Sequence, residues 1–133
     1  MATMTVAQRR EAAKAAFDEY LKMCPAHQVL DIIGSKWVSL VLTRLAEGPR
    51  RYAELGRALP GASAKMLTQT LRSLERDGFV ARDVTPAVPV QVSYTLTPLG
   101  ERIVPLLAAI KTWADDHIDE IHAARDRYDA SRV

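Results

Sequence analysis

The sequence predicts a mainly α-helical fold that carries one small β-hairpin. Three observations point there. Apolar residues recur at helical spacing over most of the 133 residues. The period drops to two only around residues 79–96. Gly48-Pro49, Pro60-Gly61 and Asp77-Gly78 cut the middle of the chain into short elements.

The elements follow in order. Residues from about Thr5 to Lys22 are rich in alanine, with Phe17, Tyr20 and Leu21 at helical spacing, and read as a first helix that ends before Cys24-Pro25. Pro25 suits the first position of a second helix, running to Ile33 with Val29, Leu30 and Ile33 inward. Gly34-Ser35 breaks it. Ser35 can cap a third helix, Lys36 to Ala46, with Trp37, Leu40, Val41 and Leu45 on one side. A short helix follows, about Arg51 to Leu59, and then the Pro60-Gly61 turn. Ser63 caps the next helix, which runs to Asp77, where Gly78 is a natural stop. Two short helices joined by a tight turn form a helix-turn-helix.

Residues 79–84 and 90–96 then read as strands around the proline-stiffened loop Thr85-Pro86-Ala87-Val88-Pro89, which makes a wing. Thr97-Pro98 opens a last helix carrying Ile103, Leu106, Leu107, Ile110, Trp113, Ile118 and Ile121. Pro105 within it predicts a kink or a split. The tail after Tyr128 is expected to fray.

Composition sets the functional class. Apolar residues make up 48% and charged residues 26%, as in ordinary globular domains. No apolar run reaches the ~18 residues of a membrane span, and no signal peptide is visible at the start. The expected setting is the cytoplasm, with no membrane partner. A single cysteine, Cys24, excludes an internal disulfide framework. Net charge is +2, unevenly spread. Between Lys36 and Arg76 eight basic residues face three acidic ones, whereas from Glu101 onward seven acids outnumber five bases. A basic middle suits a polyanion, nucleic acid above all, although a basic solvated face is the simpler account of charge alone.

The helix from Ser63 decides between them. Leu67, Leu71 and Leu74 form one apolar stripe, with Met66 or Thr70 at its margin. Lys65, Thr68, Gln69 and Arg72 fall largely on the other side. Ser63 and Ala64 lie at the end where amides point outward and the helix dipole is positive. Lys and Arg can reach guanine or phosphate, Gln pairs with adenine, and Thr bonds or packs on a thymine methyl. An amphipathic surface helix would share this spacing. The preceding turn, the following wing and the basic context favour a recognition helix for double-stranded DNA.

From Cys24 to about Trp113 the chain resembles the HxlR-type transcriptional regulators, a winged helix-turn-helix branch related to the MarR group. The stretches that carry the resemblance are CPAHQVLDIIGSKWVSLVLTRLAEGPRRYAEL, LPGASAKMLTQTLRSLERDGFV and VSYTLTPLGERIVPLL. It implies a homodimer that binds DNA. Residues 1–23 would be an N-terminal dimerisation helix, 24–97 the winged helix-turn-helix, and 98–133 C-terminal dimerisation helices with a frayed tail, all in one compact domain. It also implies that Lys65, Thr68, Gln69 and Arg72 face the major groove and that Lys36, Arg50 and Arg51 contact phosphate. The sequence departs from the family at the wing, where Gln91 takes a usually basic place and Ser93 a usually acidic one. An arginine in a narrow minor groove is a strong contact, so glutamine predicts a weaker wing, with Arg82 as a partial substitute on phosphate.

Other candidates remain open. Cys24 lies beside a helix N-terminus, a position that favours a thiolate, and relatives with a cysteine there respond to oxidants. The alternative is an inert cysteine acting as a small hydrophobe. Phe17, Tyr20, Trp37 and Trp113 either line a pocket for a small-molecule effector at the dimer seam or, more simply, pack the core. His117 and His122, five apart, share no helix face, so no metal site is expected. No cofactor motif and no catalytic Ser-His-Asp set or paired carboxylates stand out, so an enzyme is not expected. A winged-helix module that binds protein is the rival from another class, and the basic middle argues against it.

Overall fold

The computed structural model describes residues 3–132. It falls into two compact units, Met1–Ser39 and Leu40–Val133. Among the described residues no helix is long and apolar enough to cross a membrane.

In the first unit, α1 (Val6–Met23) and α2 (Pro25–Ile33) pack together. Thr5 starts α1 with a reciprocal cap: its hydroxyl accepts from the Gln8 amide at 3.1 Å, and its own amide donates to Gln8 Oε1 at 2.8 Å. Cys24, in extended conformation, closes α1 and opens α2, and Pro25 takes the first helical position. Neither helix has a buried residue. Leu30, expected inward, is 55% exposed. Phe17 and Tyr20 stack on each other in the open, which corrects the expectation that they pack a core.

α3 (Lys36–Leu45) spans the boundary between the units. Its buried stripe is Val38, Val41, Leu42 and Leu45, one step round from the stripe expected, and Leu40 is exposed. The second unit continues with β1 (Arg50–Arg51), α4 (Tyr52–Ala58), α5 (Ala64–Arg76), β2 (Val80–Thr85), β3 (Gln91–Leu96) and α6 (Pro98–Ser131). Its core joins Val41, Leu42 and Leu45 to Leu55, Leu59, Leu67, Leu71, Leu74, Phe79, Val80 and Ile103. Burying each such side chain contributes about 1.5–3 kcal/mol.

The expected hairpin is present, but it belongs to a three-stranded antiparallel sheet in the order β1-β3-β2. Arg50 and Arg51, assigned from sequence to a loop and a helix start, pair with Tyr94 and Ser93. β2 and β3 pair from Val80 opposite Leu96 to Thr85 opposite Gln91. The loop between them holds a cis Val88-Pro89 peptide.

Two junctions fix the wing. After α5 the Gly78 amide bonds to the Glu75 carbonyl and the Phe79 amide to that of Leu74, a Schellman closure. It requires the left-handed φ of 84° that glycine supplies. At the other end Thr97 caps α6: its hydroxyl accepts from the Gly100 amide and donates to the Gly78 carbonyl. The backbone there lies so close that a Cβ at residue 100 would overlap the Phe79 carbonyl oxygen.

α6 is one helix of 34 residues, neither split at Pro105 nor frayed at Tyr128. Pro105 withholds an amide from the Glu101 carbonyl, but both residues are exposed, so water can take the orphaned acceptor. Of its apolar residues only Ile103 is buried. Leu106, Ile110, Trp113 and Ile118 are exposed, against the expectation of a packed stripe.

Candidate nucleic-acid interface

α5 has two sharply different faces. Leu67, Thr70, Leu71 and Leu74 are buried, with the Thr70 hydroxyl donating back to the Met66 carbonyl at 2.8 Å. Lys65, Gln69 and Arg72 are exposed, and among the described residues no hydrogen bond or ion pair holds them. Their donors and acceptors are therefore open to an outside partner. Ser63 and Ala64 occupy the helix start as expected, with Ser63 Oγ accepting from the Met66 amide at 3.1 Å.

Thr68 differs from its expected groove-facing neighbours. It is half-buried, and its hydroxyl lies 3.2 Å from the Tyr52 hydroxyl. Tyr52 donates its proton to the Ala64 carbonyl at 3.0 Å, so Thr68 is the donor in the shared bond. Tyr52 thus ties the start of α4 to the first turn of α5 and sets the angle between them. In the sequence Tyr52 falls in the short helix from Arg51, with no partner evident for its hydroxyl. Its signal was the polar tip of a half-buried aromatic, which finds a partner when its ring packs inward.

The remaining basic residues divide. Arg50 is held by Glu47, Nη2 to Oε2 at 3.1 Å, and Glu47 also has Arg44 at 3.8 Å, so part of the Arg50 charge is offset. Arg82 is exposed on β2 opposite Tyr94. With Thr68, Leu71, Arg72, Glu75 and Tyr94 it lines a cleft of about 360 Å³ between α5 and the wing. Arg51 and Gln91 are both exposed, and Arg51 Nη2 donates to Gln91 Oε1 at 2.7 Å. Lys36 belongs to the first unit, where its ammonium lies 4.9 Å from the centre of the Trp37 ring. Cys24 is a half-buried free thiol that makes no capping bond.

A polar helix face without internal partners, anchored by leucines and flanked by a wing, is a surface built for a nucleic-acid groove. The model of the HxlR-like helix-turn-helix matches residues 32–122. The chain belongs to the HxlR-like helix-turn-helix family. An HTH-type transcriptional regulator of Escherichia coli K12, YtfH, is 42% identical over 107 residues, which is 80% of this chain and 85% of that one. The solved structure of ytfH from Salmonella typhimurium, described as a transcriptional regulator, superposes with a TM-score of 0.68 at 40% identity, covering 79% of this chain and 94% of that one. The redox regulator HypR in its reduced form gives 0.71 at 35% identity over 75% and 99%. The family and these relatives are transcriptional regulators, not enzymes. This HxlR-type chain is a DNA-binding transcriptional regulator with a winged-helix fold.

Proposed function

We propose that this HxlR-type regulator binds an inverted-repeat operator as a homodimer and reads bases with Lys65, Gln69 and Arg72. The observation that carries the reading is the open polar face of α5 opposite its buried leucines. Thr68 contributes its methyl group and lone pairs, since its proton is committed to Tyr52. Ser63 and Ala64 bring the positive helix end toward the backbone. Arg51, Arg82 and Lys36 supply phosphate contacts, with Arg50 a weaker one because Glu47 holds it. Most of the affinity comes from phosphate and most of the sequence choice from α5. Dimerisation is supported by the seam that Leu106, Ile110, Trp113 and His117 form along one face of α6, continued by a shallow apolar groove over Ile121 and Ala124. A two-fold dimer places two α5 helices on half-sites roughly one turn, ~10–11 base pairs, apart.

Gel-shift titration of an operator selected from random duplexes tests this. Arg72→Ala and Lys65→Ala should each cost about 1–3 kcal/mol of binding and relax base preference. Unchanged binding by both would remove α5 from the major groove.

A response to oxidants through Cys24 is the second part of the proposal. It is supported by the similarity to the redox regulator HypR and by the accessible free thiol between α1 and α2. With one cysteine per chain, the oxidised product is a Cys24–Cys24 bond across the dimer or an adduct with a small thiol. Diamide should change operator affinity in the wild type and leave Cys24→Ser unaffected. An equal response in both would exclude Cys24. The competing reading, a small-molecule effector at an aromatic dimer seam, rests on the exposed Phe17, Tyr20 and Trp113.

A further inference from the structure

The wing loop, residues 86–90, contains no charged residue, and the first residue of β3 is the neutral Gln91. Yet a cation lies beside it. Arg51 stands opposite Ser93 in the β1–β3 ladder, and Gln91 is two residues before Ser93 on the same strand. Alternation along a strand places Gln91, Ser93 and Arg51 on one sheet face. The opposite face carries Tyr94 and Arg82, which line the cleft against α5. Arg51 reaches diagonally and donates to Gln91 Oε1 at 2.7 Å, across forty residues of sequence.

The chemistry of that bond matters. An amide oxygen orients a guanidinium without cancelling its charge, whereas a carboxylate there would neutralise it. The nearby acids are already committed. Glu54 accepts the Arg51 backbone amide at 3.1 Å, and Asp83, across Ser93 on β2, accepts the Thr95 hydroxyl at 3.1 Å. Arg51 forms no ion pair among the described residues. Its guanidinium spends one of five donors on Gln91, in an exposed side chain that no carboxylate neutralises among the described residues.

We infer that Gln91 is a positioning residue: it holds Arg51 at the wing base so that β1, not the wing loop, supplies the wing's cation to a DNA phosphate. This rests on the proposed DNA reading and changes the role of Gln91 within it. Gln91 does not touch the groove. It fixes a side chain that would otherwise have to be ordered on binding, which costs affinity.

Binding of the full-length protein to a random-sequence duplex across a salt titration tests it. Arg51→Ala should lower affinity and reduce the salt slope by about 0.9, one phosphate's worth. Gln91→Glu should give a similar loss of slope, because it pairs with Arg51. Gln91→Ala should lower affinity about three- to tenfold, the scale of ordering one side chain on binding, with the slope unchanged. In the Arg51→Ala background Gln91→Ala should add nothing. Additive losses would overturn the inference, because Gln91 would then contact DNA itself. So would a Gln91→Ala protein that melts earlier but binds as well as wild type, since the bond would then be a strap between strands. If wild type binds no duplex at any salt, the DNA reading falls and this inference with it. If Arg72→Ala weakens operator binding while Arg51→Ala does nothing, only this inference falls.

Discussion

The core of the second unit and the two terminal helices, α1 and α6, treat their apolar residues in opposite ways. In the second unit, Leu42, Leu55, Leu71 and Leu74 from three helices are completely or almost completely buried, joined by Phe79 in the turn after α5 and Val80 at the start of β2. On α1 and on α6 beyond Ile103, Phe17, Tyr20, Leu106, Ile110 and Trp113 are 45–63% exposed. Scattered exposed apolar groups are normal, but a stripe at i, i+4 and i+7 along a long helix is not. One region meets its hydrophobic requirement within a single chain. The other leaves it unmet, as a helix does when a second copy supplies its partner face. The polar face of α5 is the electrostatic counterpart, since Lys65, Gln69 and Arg72 find no hydrogen-bond or ion-pair partner among the described residues.

The comparison is broken most strongly at Leu74. It is fully buried where α5 meets the core, and its carbonyl anchors the closure into the wing. Leu74→Ala should cost about 2–5 kcal/mol of folding stability through lost transfer energy and the cavity left behind. Denaturant unfolding followed by circular dichroism would measure it. The loss should be the same at every protein concentration, because this contact is internal to one chain. A loss below about 1 kcal/mol would mean the site collapses freely and the core is not the rigid platform that aims α5.

What was legible in the sequence was what neighbouring residues decide between themselves. Ser63 and Thr97 cap helices as expected, Pro25 and Pro98 take first helical positions, and Gly78 supplies the left-handed turn. The leucine stripe of α5 was readable because 3.6-residue spacing is a local property. The misses are nonlocal. On α3 the Trp37–Leu40 and Val38–Leu42 stripes are both apolar, and only the packing partners decide which turns inward. β1 has two residues, too few to show any period, and exists because β3 pairs with it. The bond between Arg51 and Gln91 was equally hidden, because the two side chains meet only through that strand pairing. Thr68 was grouped with the open polar face because spacing cannot reveal a hydroxyl partner sixteen residues away. Gly100, met in the sequence only as part of a family stretch, proves to be structural: it permits the close backbone approach to Phe79.

The smaller effect is expected at Trp113, and it sharpens the comparison from the other side. Trp113 is 57% exposed and stacks on His117 with ring centres 4.4 Å apart, while the His117 ring nitrogen Nδ1 lies 2.7 Å from the Trp113 carbonyl oxygen. That arrangement gives the exposed stripe of α6 an aromatic step, and aromatic anchors of this kind dominate the energetics of interfaces. Trp113→Ala should therefore leave the folded core of the second unit intact and weaken self-association by about 2 kcal/mol, the scale of an interface hot spot. Sedimentation velocity over a dilution series would show the variant dissociating at concentrations where wild type stays dimeric, and its melting temperature would depend on concentration. The two substitutions then separate cleanly: Leu74→Ala lowers stability at all concentrations, whereas Trp113→Ala does so only on dilution. If wild type sediments as a monomer throughout, the exposed stripes on α1 and α6 are not a dimer seam, and the inverted-repeat reading loses its two-fold axis.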